Sequence, residues 1–152
     1  MANTHSLDLE LSSSQYAYKT DTASLSITGD LTIEAWVNLE VLPSAASTYA
    51  IAAKWDATDN DRSYRFLRQT GDQLVIEWSA DGTSRSSFSA DATTITSAGI
   101  WYHVAVALDV SEKSAVFYYN GVSQAGTLDI DGSDTAIDDN AQAFLIGAQD
   151  ST

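Results

Sequence analysis

The sequence has no cysteine, 1 proline and 8 glycines, and each of these low counts excludes a class of protein. Without cysteine there are no disulfides, no thiolate metal sites and no cysteine nucleophile. So little proline and glycine excludes collagen-like and proline-rich chains. No apolar run approaches the roughly 18 residues that a membrane span needs. The opening residues, MANTHSLDLELSSS, have neither the basic start nor the apolar stretch of a secretory signal, so none is predicted.

Basic residues are also scarce, which leaves the chain strongly acidic. The 21 acidic residues against 7 basic ones give a formal net charge of -14. Such a surface repels nucleic-acid phosphates and anionic lipid headgroups, so neither nucleic acid nor a membrane is an expected partner. With 152 residues, 44% of them hydrophobic, the chain is predicted to form one domain over residues 1–152.

The dominant pattern that remains is strict alternation of apolar and polar residues, which is typical of half-buried strands. The clearest case is LTIEAWVNL, where Leu31, Ile33, Ala35, Val37 and Leu39 form one face, and Thr32, Glu34, Trp36 and Asn38 the other. Similar segments are QLVIEWS, WYHVAVALD and SAVFYYNG, and further candidates are HSLDLEL, QYAYK, TYAIAAK, RSYRFLR, RSSFSA and AFLIG. Trp78 shares the apolar face of its strand and is predicted to lie in the core.

Turn signals separate these segments. Asn120-Gly121 predicts a type I′ hairpin turn, because both residue types tolerate positive φ. No helical period is sustained over three turns. The sequence therefore predicts an all-β sandwich or jelly roll.

Four segments, taken in order, resemble the laminin G-like jelly-roll domains of the concanavalin A-like lectin/glucanase superfamily. TGDLTIEAWVNLE is similar to the strand G-[DF]-T-[IV]-E-A-W-V, and AGIWYHVAVALDVSEKSAVFYYNGV to the hairpin that begins W-[YH]-H-V-A. SLDLELSSSQYAY resembles the opening strand, and AFLIGAQ the strand [FL]-x-I-G. The resemblance implies an antiparallel β-sandwich jelly roll. It also puts Trp36 and Trp101 at recurring structural positions, so both are expected in the core.

The resemblance covers several functions, since fold does not determine function. The leading hypothesis is a non-catalytic binding or adhesion module for carbohydrates. The alternative is a structural virion decoration or surface-assembly protein. The third and least favoured hypothesis is a glycoside hydrolase. The family favours an extracellular, cell-surface or virion-associated setting.

One departure from the family concerns its last strand, F-x-G-x-[IL]-D-x-[VL]-R-[IV]-[YW], which has no counterpart after AFLIG. The first strand, roughly His5 to Leu11, is expected to place Leu7, Leu9 and Leu11 on the core and to lack a neighbour. Three segments could take the place of the missing neighbour: a continuation beyond Thr152, a strand donated by another subunit or partner chain, or the segment Asp129–Asn140 folded back. A homo-oligomer is therefore one expected arrangement, and an incomplete domain is another.

Catalysis is not expected, because the paired carboxylates of glucanases are missing. Those enzymes place an acid and a nucleophile about 5 Å apart on one strand. LDLEL offers Asp8 and Glu10 without a third carboxylate in register, and Glu34 and Glu40 are too far apart in sequence. His103 lies in the structural hairpin and is predicted to be half-buried rather than a base.

The best candidate ligand cluster surrounds Trp55 in KWDATDNDR. A sugar ring stacks on tryptophan while polar side chains bind its hydroxyls, so Trp55, Asn60 and Arg62 are predicted to bind a glycan. The competing interpretation is a Trp55 that closes one end of the sandwich. Calcium prefers clustered oxygen ligands, which makes Asp56, Asp59 and Asp61 the candidate calcium site.

Overall fold

The structure is a computed structural model that describes residues 5–42, 48–69, 71–92 and 95–149. Ten β-strands and one short 3-10 turn, Leu11–Ser13, lie in these ranges. The strands are β1 (Ala17–Lys19), β2 (Leu31–Asn38), β3 (Tyr49–Asp56), β4 (Asp61–Arg68), β5 (Leu74–Gly82), β6 (Ser86–Ala90), β7 (Trp101–Asp109), β8 (Ser114–Tyr119), β9 (Val122–Ile130) and β10 (Phe144–Ile146). No helix in the described ranges is long and apolar enough to cross a membrane.

The strands form one antiparallel sheet in the order β1-β10-β3-β4-β5-β6-β9-β8-β7-β2, which curls into two layers. The long strand β9 links the layers, because its first half pairs with β8 and its second half with β6. Gly126 lies at this change of partner. A Cβ there would come 2.9 Å from the carbonyl oxygen of Ala115, so only glycine permits the close approach. The prediction of an antiparallel β-sandwich is confirmed.

The core lies between the two layers and follows from the alternation. Phe66 and Trp78 from one layer and Phe117 from the other are fully buried. Trp78 stacks on Phe88 with ring centres 5.8 Å apart. The predicted apolar face of β2 also packs on this core through Ile33 and its neighbours. Burial of these rings and branched chains is the main source of stability.

The prediction of a first strand from His5 to Leu11 is wrong. Residues 5–10 form no regular strand, and Leu7 is exposed rather than in the core. The first strand is β1, from the QYAYK segment, and it pairs with β10 from AFLIG. A strand needs a neighbour for its backbone groups. The edge of β10 is taken by Ala17–Lys19, so residues 5–10 have no neighbour there.

Most of the segment Asp129–Asn140 folds back onto one end of the sandwich. Ile137 enters the core, and its N–H donates to the carbonyl oxygen of Thr28 at 3.0 Å. The N–H of Asp138 donates to the carbonyl oxygen of Ser79 at 2.7 Å. The segment thus closes the end of the sandwich, but it adds no strand beside β2.

The buried Lys54 connects three parts of the chain at the same end. Its ammonium lies 3.3 Å from a carboxylate oxygen of Asp21 and donates to the carbonyl oxygen of Asn140. Burial, together with the nearby charge of Asp21, raises the pKa of Tyr64 to about 12. The contacts of Lys54 with Asp21 and Asn140 compensate its buried charge, as burial of a lysine requires.

Candidate functional site

Trp55 is not available to a ligand. It is 2% exposed on β3, and the guanidinium carbon of Arg65 lies 4.3 Å from the centre of its ring. Arg65 in turn forms an ion pair with Glu77 and donates to Gln149 at 2.7 Å. The cation covers the ring by a cation–π contact. The prediction that Trp55 stacks on a sugar therefore does not fit this geometry, and a structural role does.

The predicted ligand groups Asn60 and Arg62 are engaged in the same region. The Arg62 guanidinium donates to the carbonyl oxygens of Gly82 at 3.0 Å and Thr83 at 2.7 Å. It also donates to the carbonyl oxygen of Ala57 and to the side-chain oxygen of Asn60. Arg62 thus holds the β3–β4 turn against the end of β5. Its donors are used in the fold rather than offered to a ligand.

Two of the three candidate calcium ligands, Asp56 and Asp61, accept hydrogen bonds within the fold. One oxygen of Asp56 accepts from the N–H groups of Thr58 and Asp59, at 2.7 and 3.2 Å, and so closes the turn. Asp61 accepts from the side chain of Gln142 at 3.3 Å. Across the described ranges, the one group of three acidic or histidine side chains with ligand atoms within 4.8 Å of one another is Asp8, Glu10 and Glu40, all exposed. The sequence does not indicate this group, because Glu40 is far along the chain from Asp8 and Glu10.

An aromatic surface is exposed elsewhere, on the outer side of β2 and β7. The strands pair Trp36 with His103 and Asn38 with Trp101, so these four residues form adjoining rows on one face. Trp36 is 63% exposed and Trp101 49%. We call these four residues and Glu34 the β2–β7 face. Two large exposed aromatics on regular strands offer ring faces on which a ring-shaped ligand can stack.

Polar groups lie beside the Trp36 ring. The ring of His103 lies 5.2 Å from that of Trp36, with the planes tilted by 55°. The Nε2 atom of His103 is 3.6 Å from a carboxylate oxygen of the exposed Glu34. The side chain of Asn120, in the predicted hairpin turn, accepts from the backbone N–H of His103 at 2.9 Å. The face thus combines a ring surface with carboxylate, imidazole and amide groups.

The expectation that Trp36 and Trp101 lie in the core is wrong. The alternation of LTIEAWVNL already puts Trp36 in phase with Thr32, Glu34 and Asn38, on the face opposite the core. Trp101 is likewise in phase with His103, which the structure leaves half-buried as predicted. The two-residue period of the strands therefore predicts correctly which side of the sheet Trp36 and Trp101 lie on. The structural positions implied by the resemblance were a poorer guide to burial.

Comparison with known proteins identifies the family. A laminin G family model, described as the concanavalin A-like lectin/glucanases superfamily, matches residues 11–152. The search of curated proteins returned no match. The family match covers all ten strands and both aromatic regions.

Proposed function

The chain belongs to the concanavalin A-like lectin/glucanase superfamily, whose domain supports a generic binding role, and we propose that it is a non-catalytic glycan-binding module. The observation that carries the proposal is the 63% exposure of Trp36 on a regular strand, with Trp101 in the next row. A tryptophan so placed gains little from folding. It offers a large apolar area to a ligand at low entropic cost.

The flanking groups select the chemistry of the sugar. Glu34 accepts hydrogen bonds and Asn38 both donates and accepts, which suits neutral hydroxyls. Glu34 also places negative charge at the site, in a chain of formal net charge -14. Uronic, sialylated and sulfated glycans would be repelled. The proposed ligand is therefore a neutral glycan, consistent with the extracellular, cell-surface or virion setting that the resemblance implies.

The proposal is non-catalytic because the carboxylates that do lie together suit hydrolysis poorly. A general acid of this class is held in apolar surroundings, while its partner carboxylate stays ionised about 5 Å away. Asp8, Glu10 and Glu40 are all exposed to water. We expect no turnover of laminarin, and turnover that is abolished in Glu10→Gln would contradict this part of the proposal.

The test is a glycan array probed with the wild-type chain and with Trp36→Ala. Truncating a central aromatic anchor costs about 2 kcal/mol or more, which is roughly 30-fold in Kd. Tyr18→Ala is the matched control, because Tyr18 is an aromatic of similar exposure on β1, at the opposite end of the strand order, and is not part of the β2–β7 face. Binding of neutral glycans that Trp36→Ala loses and Tyr18→Ala keeps would support the proposal. No glycan binding by the wild type, or equal binding by both variants, would refute it.

An assembly role is the second candidate, and one observation favours it. The strand β2 ends the strand order and has β7 as its single partner strand among the described residues. A free edge of this kind is a template for pairing with another chain.

A further inference from the structure

The outward side of β7 changes from large to small side chains along the strand. Val104 and Val106 face the core, so the residues that alternate with them face away from it. On that side His103 is followed by Ala105 and Ala107. Alanine forms strands less readily than the β-branched residues on the core side do. The two alanines therefore contribute little to the strand itself, and what they provide on the outer side is space.

Longer side chains stand on both sides of these two alanines. Residues that pair directly across neighbouring strands share a face of the sheet. Two rows therefore cross β2, β7 and β8 on the outer face, with Glu34, Ala105 and Tyr118 in the first and Thr32, Ala107 and Val116 in the second. The alanines form the floor of a groove that runs along β7, with β2 and β8 as its walls. We call this space the β7 groove.

The exposure of the side chains shows that the walls are taller than the floor. Ala105 is only 6% exposed although it faces away from the core, whereas Val116 on the β8 wall is 38% exposed. The side chain of Glu34 on the β2 wall is 74% exposed. The walls therefore project past the floor and shield it. Since neighbouring strands lie about 4.8 Å apart, the backbones of the two walls are roughly 10 Å apart, which leaves room for a single row of sugar rings.

One end of the β7 groove is the glycan site proposed above. Trp36 and His103 form the next row along the strands, with their rings 5.2 Å apart. From His103 to Ala107 the strand advances by four residues, or about 14 Å, which is roughly the length of three linked sugar rings. A glycan that stacks on Trp36 therefore has a path along β7 for further sugars.

The two walls differ in chemistry. Glu34 and Thr32 present a carboxylate and a hydroxyl on the β2 side, and both form hydrogen bonds with sugar hydroxyls. The half-buried Tyr118 and the exposed Val116 contribute aromatic and aliphatic surface on the β8 side. A pyranose ring has hydroxyls around its rim and apolar C–H faces. A sugar that stands between the walls therefore finds a partner for both kinds of surface.

From the alanine floor, the unequal walls and the exposed Trp36 at one end, we infer that the β7 groove binds an unbranched, extended neutral glycan of at least three sugars. The inference rests on the proposed function, because Trp36 holds the first sugar and the groove holds those that follow. A branch on the second or third sugar would collide with a wall. The ligand class is therefore straight chains, such as β-1,4-linked pyranoses, rather than branched glycans.

The test is calorimetric titration of the wild-type chain with neutral β-1,4-linked oligosaccharides of glucose, mannose and N-acetylglucosamine. Each series runs from two to five units. At least one series should bind, with an affinity that rises about tenfold or more from two units to four and then levels off. Trp36→Ala should weaken the binding of every length, because it removes the surface for the first sugar.

Leucine in place of the floor alanines separates the groove from the site at Trp36. Ala105→Leu and Ala107→Leu fill the groove, so both should keep the wild-type affinity for the two-unit glycan and lose most of the gain with length. Ala125→Leu is the matched control, because Ala125 is exposed on β9, pairs with Val116 and lies outside the groove. It should retain the wild-type dependence on length. Melting temperatures check that the variants are folded.

Three results would overturn the inference and leave glycan binding in place. The wild type could bind two-unit and four-unit glycans equally, or bind glycans on the array but none of the three straight series. A folded Ala107→Leu could keep the full gain with length. In each case Trp36→Ala would still lose binding, so the proposed function would stand. If the wild type binds no neutral glycan at all, the proposed function itself is refuted, and the inference falls with it.

Discussion

Two tryptophan regions of this molecule have opposite characters. Around Trp55 the chain gathers a tryptophan, arginines and several aspartates, the composition of a sugar site, yet Arg65 covers the ring and Arg62 binds backbone carbonyls. On the β2–β7 face the tryptophans sit in a plain strand, yet they are exposed. Residue type alone did not separate the two. What separates them is whether a neighbouring side chain covers the tryptophan ring or the strand leaves it exposed.

The largest expected effect tests the structural role of Trp55. Trp55→Ala should lower the free energy of unfolding by about 3–5 kcal/mol, because it empties a buried site and leaves Arg65 without its ring contact. Trp36→Ala should change it by no more than about 0.5 kcal/mol. Urea unfolding of both variants measures the difference. Because Trp55→Ala removes much of a domain's stability, Trp55→Phe serves as a second variant with a smaller expected loss. Equal effects at Trp36 and Trp55 would contradict the assignment.

A smaller loss is expected at Arg62. Arg62→Ala removes charge-assisted hydrogen bonds to the carbonyl oxygens of Gly82 and Thr83, at a cost of about 1–3 kcal/mol. Arg62→Lys keeps the charge but not the planar arrangement of donors, so it should recover only part of the stability. Thermal unfolding gives the values. A loss of glycan binding at unchanged stability would instead make Arg62 a ligand-binding residue.

The acid sensitivity of Asp81, which precedes the carbonyl groups that Arg62 contacts, provides a third test. Hydrogen bonds from the backbone N–H groups of Ser84 and Thr83 hold the pKa of the Asp81 carboxyl well below its ordinary value. The stabilising contribution is therefore present above the unfolded-state pKa of about 3.9 and is lost as the pH falls below it. Asp81→Asn removes this titration, so its melting temperature should fall less steeply between about pH 4 and pH 2. An unchanged acid slope would show that Asp81 is not responsible.

The smallest expected effect concerns calcium. Asp56 accepts two backbone hydrogen bonds and Asp61 accepts from Gln142, so we expect glycan binding and the melting temperature to be the same in chelator and in millimolar calcium. A ligand bound only to the native state would raise the melting temperature by mass action. A rise that is lost when Asp59→Ala and Asp61→Ala are combined would restore the predicted calcium site.

Much of the sheet could be predicted from the sequence, because alternation reports directly on which side of a strand is buried. Alternation predicts the segments of β2, β7 and β8 with nearly their observed bounds. Alternation also predicts a strand at HSLDLEL, although no strand within the described ranges pairs with that segment. Alternation does not predict the strand β9, because the side chains on both of its faces are mostly exposed. Pairing between distant segments is not encoded in any local pattern.

The candidate site was harder to predict for a related reason. Alternation puts Trp36 on the face opposite the core, but whether that face is exposed depends on which side the curled sheet leaves uncovered. The proximity of Asp8, Glu10 and Glu40 depends on the path of the N-terminal segment past the end of β2. Sequence spacing cannot report such meetings. The coverage of Trp55 likewise depends on Arg65, which comes from the neighbouring strand.

The most direct test uses the indole N–H signals of the four tryptophans in a ¹H–¹⁵N NMR spectrum, assigned by single Trp→Phe variants. A neutral glycan selected on the array is titrated into the labelled wild-type protein. The signals of Trp36 and Trp101 should shift with saturation, while those of the buried Trp55 and Trp78 stay in place. A saturable shift of Trp55 with Trp36 unmoved would contradict the placement of the glycan site on the β2–β7 face.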